Sequence, residues 1–103
     1  MIVQLIELKT GTKRYMLVMD NGKRFKFGFR GGSTFLDHGD EAKRINYLKR
    51  HLANPTENYL INNLIPSASL FSAYLLWGPY TNIEQNAEYL NSLFKSKYHP
   101  DSA

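Results

Sequence analysis

The segment Arg14–Phe29, RYMLVMDNGKRFKFGF, decides the fold. Tyr15, Leu17 and Met19 alternate with Met16 and Val18, so apolar side chains stand on both faces and both can be covered. From Lys23 onward the alternation is cleaner. Phe25, Phe27 and Phe29 fall on one side, Arg24 and Lys26 on the other. Between the two runs stands Asp20-Asn21-Gly22. This is a strong hairpin signal, because Asn-Gly tolerates positive φ at both central positions of a tight turn. Upstream, MIVQLIELK reads as another strand with Ile2, Ile6 and Leu8 on one face, and Thr10-Gly11-Thr12 as the turn after it. Residues 1–30 are therefore expected to form a three-stranded antiparallel meander.

Past the Gly31-Gly32 bend the period changes from two to 3.6. His38–His51 reads HGDEAKRINYLKRH, with Asp40 as N-cap, Glu41 in the first turn, and Arg50 and His51 in the last turn, where cations help. On a helix, Lys43, Arg44, Tyr47, Arg50 and His51 share an arc of roughly 120°, and Ile45, Leu48 and Leu52 point away from it. Ala53-Asn54-Pro55 ends this helix. Residues 54–66 read as a loop with a short turn around Tyr59–Ile61. Ser67 or Ser69 then caps a short apolar helix, Leu70–Trp77, stopped by Gly78-Pro79. Thr81 and Glu84 suggest a capping box for a last helix from Asn82 to about Lys95, with Ile83, Ala87, Leu90 and Phe94 on one stripe. The expected fold is α+β: one small domain over 1–103, with the meander at 1–30, about three helices within 38–95, and a frayed tail at 96–103.

Composition limits the function classes. Hydrophobic residues make up 43%, which suits a packed core. The formal net charge is +4. Its distribution is uneven: residues 1–51 hold eleven Lys/Arg against five acids, a balance of +6, while residues 52–103 carry −2. Such asymmetry suits a directional contact with something acidic. There is no cysteine, so disulfides and thiolate zinc sites are excluded. MIVQLIELK has an acid within its apolar run and no basic region before it, so it reads as a strand and not a signal peptide. No stretch reaches the ~18 apolar residues of a membrane span.

Catalytic constellations are weak. His38, Asp40 and His51 offer two imidazoles and a carboxylate, which suit zinc or iron chemically. Their spacing matches no closed ligand set, and capping and hydrogen bonding explain them. Asp37 or Asp40 with His38 could serve acid/base chemistry, but no Gly-rich phosphate loop, G-x-S-x-G or H-E-x-x-H accompanies them. No metal or cofactor is expected. Two surfaces are candidates for contact. The first comprises Arg24 and Lys26 on the meander with the arc of Lys43, Arg44, Tyr47, Arg50 and His51, suited to phosphate or to an acidic partner. The second is FSAYLLWGPY, where Phe71, Tyr74, Trp77 and Tyr80 are hard to hide at once in so small a domain. A single-strand-binding sheet needs exposed aromatics, whereas Phe25, Phe27 and Phe29 are the candidates for the sheet's core face.

Phe27-Gly28, His38-x-Asp40, Arg44, Tyr47, Arg50-His51 and Leu75-Leu76-Trp77-Gly78 together resemble a small uncharacterised family of large nucleocytoplasmic DNA viruses and related phages. The resemblance covers about residues 14–78. This chain departs from the family's Trp after the Arg-His pair, where Asn54–Asn58 lacks one and Tyr59 substitutes. It also has Thr34–Asp37 where the family carries Tyr before the His. The family brings no catalytic residues. The resemblance implies a virus-encoded protein made in host cytoplasm and packaged in the virion. The expected function is thus a non-enzymatic structural or assembly protein, a minor virion component contacting other capsid proteins. The alternative is a nucleic-acid-binding accessory protein using the basic helix face. Neither has a small-molecule substrate or a membrane span.

Overall fold

The computed structural model describes residues 1–98. Three strands come first: β1 (Ile2–Glu7), β2 (Tyr15–Met19) and β3 (Arg24–Phe27), paired antiparallel in the order β1-β2-β3. The helices follow: α1 (Phe35–His38), α2 (Glu41–Leu52), α3 (Pro55–Asn62), α4 (Ala68–Phe71), a π-helical turn over Ser72–Leu76, and α5 (Ile83–Tyr98). The architecture is α+β, with the helical part cut into more pieces than the sequence period suggests.

Register assigns the paired sheet residues to two faces. Leu5, Leu17 and Phe25 form one row, Tyr15 and Phe27 another, and Ile2 pairs Met19. These rows face the helices and pack on Leu70, Phe71, Leu75, Leu90 and Phe94. Gln4–Val18–Arg24 and Ile6–Met16–Lys26 form the rows of the opposite face. β1 departs from the simple alternation. A bulge between Ile2 and Gln4 puts Ile2 and Leu5, three apart, on the same face. Ile6 therefore points outward rather than sharing the face of Ile2.

The hairpin forms where expected but differently. Gly22 N–H donates to Met19 O and Met19 N–H to Lys23 O, which leaves a three-residue loop. Only Gly22 has positive φ (86°); Asn21 instead uses its Oδ1 to accept from Lys23 N–H at 3.0 Å. β3 also ends early. Gly28 takes φ 78°, which breaks the alternation and turns Phe29 out to 65% exposure. Phe29 is therefore not part of the sheet's core face.

Residues 54–66 contain a helix rather than a loop. Asn54-Pro55 ends α2 and also starts α3: Asn54 Oδ1 accepts from Thr56 and Glu57 N–H, and Pro55 occupies the first turn, where its missing N–H costs nothing. α3 closes without glycine. Leu64 adopts φ 53° while Ile65 N–H bonds Leu60 O and Leu64 N–H bonds Ile61 O. Ser67 caps α4 by accepting from Leu70 N–H. Asn82, not Thr81, caps α5, with Oδ1 accepting from Gln85 N–H. The stripe of Ile83, Ala87, Leu90 and Phe94 meets the core as read. α5 runs through Tyr98, so residues 96–98 are helical; residues 99–103 of the expected tail lie outside the described residues.

One ion pair ties the sheet to α1. Arg14 Nη1 and Nη2 donate to both oxygens of Asp37 at 2.7 and 2.8 Å, and Asp37 Oδ2 also accepts from Thr34 N–H and hydroxyl. The Arg14 guanidinium holds the Asp37 carboxyl well below the usual carboxylate range, with the Thr34 donors adding to it. A carboxyl whose pKa is depressed in the folded state stabilises above its unfolded value, near pH 4, and that stability is lost as pH falls through the folded value. The pair is partly exposed, so its share is about 1 kcal/mol. Asp37→Asn is expected to lower urea stability by that much at pH 7 and to flatten the decline below pH 4. An unchanged acid limb in the variant counts against this role.

Candidate functional site

The basic helix arc does not face outward as one surface. α2 has no fully buried residue, and Ile45, which points away from the basic arc, is 44% exposed. Arg44, Tyr47 and His51 turn towards the molecule instead, with Leu48 and Leu52 half-buried beside them. Arg44 Nε donates to Trp77 O at 2.9 Å, its Nη1 to Glu41 at 2.8 Å, and its guanidinium lies 5.7 Å from the Phe35 ring centre. Arg44 is thus a rivet between α1, α2 and the π turn. Lys43 and Arg50 remain exposed.

The orientation of α2 has a cause in the π turn. Trp77 N–H bonds Ser72 O, and the wider turn lets Leu75 and Leu76 enter the core while Trp77 lies over α2. Tyr47 and Trp77 stack with centroids 4.4 Å apart and planes 6° apart. His51 lies 4.0 Å from the Tyr47 ring and His38 5.4 Å from Trp77, which makes a column of four rings. Aromatic pairs of this kind add about 1 kcal/mol each beyond their buried area. Burial pushes the Tyr47 phenol up to about 12; the Glu57 charge adds to this, and Arg50 and a hydrogen bond with Ser72 oppose it.

The aromatic run divides similarly. Phe71 is fully buried beneath the sheet, so it is a core residue and not an interface candidate. Tyr74 is half-buried against Tyr89, Trp77 is committed to the column, and Tyr80 is 46% exposed.

The possible metal or acid/base residues are dispersed into local bonds. Asp40 Oδ1 caps α2 by accepting from Lys43 N–H, and His38 Nδ1 accepts from Asp40 N–H. Nε2 of His38 is buried without a hydrogen bond among the described residues. His51 Nδ1 pairs with Glu57 Oε1 at 2.9 Å, and Ser69 Oγ donates to the same oxygen. Among the described residues no three His, Asp or Glu side chains converge as metal ligands would.

Two surfaces remain. One is the outer sheet face, where Ile6, Met16 and Val18 are half-buried and Arg24 and Lys26 exposed. The other is a cavity of about 420 Å³ that pairs the loop after β3 (Gly28, Phe29, Ser33) with a helical wall (Tyr47, His51, Glu57, Ser69, Trp77), with Lys13 beside it. Sequence reasoning missed this cavity. Its signal was Gly28, the residue that interrupts the phenylalanine alternation.

The fold and these surfaces define a small α+β domain with a solvent-facing sheet. The model of a family of unknown function (DUF5754) matches residues 3–51, from β1 to the last turn of α2. No curated protein and no solved structure matches the chain. No helix among the described residues is long and apolar enough to cross a membrane.

Proposed function

We propose that this chain is a non-enzymatic contact protein that docks its outer sheet face on an acidic protein surface, as a minor component of a viral particle. The carrying observation is the composition of that face. A solvated antiparallel face is ordinarily polar. Here Ile6, Met16 and Val18 form an apolar centre, with Arg24 and Lys26 along the β3 side and without ion pairs among the described residues. An apolar centre with a charged rim is the anatomy of a protein interface, and the cations select an acidic partner. The resemblance to proteins of large DNA viruses supports the particle setting. The helix-face alternative loses Arg44, Tyr47 and His51 to internal bonds, which leaves Lys43 and Arg50.

The test is cross-linking mass spectrometry on purified particles. The chain should appear in fixed stoichiometry, with Lys26 linked to a neighbouring particle protein. Reversing Arg24→Glu and Lys26→Glu together should weaken that association about thirtyfold, since two attractions of ~0.5 kcal/mol each become repulsions of similar size. Absence from particles, or association indifferent to the reversal, overturns the reading.

A further inference from the structure

We propose that the cavity between the Gly28–Ser33 loop and the α2–α4 wall binds a nucleotide unit, an aromatic base carrying a phosphate. Phe29 is the first observation. Its ring is 65% exposed, although its strand-mates Phe25 and Phe27 are packed inward. The turn that exposes it is built from glycine: Gly32 N–H bonds Phe29 O, Gly31 has φ 94°, and a Cβ on Gly32 would stand 3.2 Å from Phe29 O and 3.5 Å from the ring. The glycines thus hold a bare phenyl ring at the cavity. A flat exposed ring gains nothing in water, but it is a stacking platform for a base, since every base has a π-face.

The second observation is charge. Lys13 shares the cavity and has no ion pair among the described residues. An ammonium beside a stacking ring matches the phosphate of a nucleotide. Also lining the cavity, exposed Ser33 and half-buried Ser69, His51 and Glu57 offer hydroxyl, imidazole and carboxylate groups that can meet a base edge. Glu57 is already held by His51 and Ser69, so its orientation is fixed before any ligand arrives. A volume of about 420 Å³ lies within the range of small-ligand pockets. The same chemistry is presented by a free mononucleotide and by one residue of a single strand.

Trp77, the sole tryptophan, lines this cavity and reports on occupancy. Its fluorescence is followed while the full chain is titrated with adenosine monophosphate and, separately, with an oligodeoxyadenylate of about ten residues. Saturable change with the monophosphate supports the site and a free-nucleotide source. Saturation with the strand alone supports the site and a strand source. In either case Phe29→Ala combined with Lys13→Ala should weaken binding at least about tenfold. Phe29 and Lys13 are both exposed, so the double variant keeps its fold, as circular dichroism checks. No saturable change with either probe at millimolar concentration overturns the proposal, as does binding that survives the double variant. The outer-face reading stands or falls separately, on the particle experiment.

Discussion

Gly78→Ala is expected to remove most of the stability of the domain. A Cβ at this position would lie 2.0 Å from Tyr74 O and 2.9 Å from Cγ and Oδ1 of Asn86. The first of these atoms is backbone within the π turn, so it cannot swing aside as a side chain would. Gly78 has no positive φ, so its need for glycine comes from close approach alone. Relief requires the π turn to move away from α5, which opens the packing of Leu75, Leu76 and Leu90. Overpacking with backbone displacement costs about 3 kcal/mol or more, and the strained hydrogen bonds of Asn86 add to it. A total on the order of 4 kcal/mol approaches the whole stability of many small domains. A thermal melt followed by circular dichroism should show Tm lowered by about 15 °C or more, or no cooperative transition. A near-native melt would mean that the turn is more plastic than this contact allows.

The second large effect is expected at Asn86, which is fully buried. Its Oδ1 accepts from Tyr80 N–H at 2.9 Å, and its Nδ2 donates to Leu75 O at 2.9 Å and Tyr80 O at 2.8 Å. One amide thereby satisfies three backbone groups on either side of the Gly78-Pro79 corner, the N–H and carbonyl of Tyr80 and the carbonyl of Leu75 in the π turn. Asn86→Leu keeps the approximate volume and strands all three groups. Each unsatisfied buried group costs about 1–3 kcal/mol, and Tyr80 is near enough to solvent to recover part of its share, so about 3 kcal/mol is expected from urea denaturation. Asn86→Asp discriminates packing from hydrogen bonding. It keeps the shape but replaces a donor with a carboxylate facing two carbonyls, so it should be as damaging as leucine at pH 7 and milder below pH 4, where a protonated acid can donate. A loss below 1 kcal/mol in Asn86→Leu would reject this account.

The meander and its order were legible because strand period and turn chemistry are short-range properties, whereas the choice of Tyr15, Leu17 and Met19 as the inward row of β2 was made by packing. The α5 stripe and the cap at Asp40 were legible for the same reason, and the cap of α4 was narrowed to Ser67 or Ser69. α3 was not, because Asn54-Pro55 signals a helix stop and a helix start with the same residues. The candidate site was read only in part. Tyr47, His51 and Trp77 were singled out and do come together, but as a stacked column and not as parts of two separate surfaces. Phe29 and Lys13 went unremarked as a pair. The exposure of Phe29 depends on one φ angle at Gly28, and Lys13 reaches the cavity only through the loop geometry.

The amino-acid order by itself determined the three strands, α2, the short helix after Ser67 and α5, since strand and helix periods depend on neighbours within about four positions; α1 and α3 lay outside that reading. The tertiary structure alone decided which face of α2 turns inward. A periodic pattern defines an arc without saying what the arc will meet. Here the ring of Trp77, delivered by the π turn, outweighs the exposure of Ile45, because stacking Tyr47 and bonding Arg44 to the Trp77 carbonyl are available only once distant segments have packed.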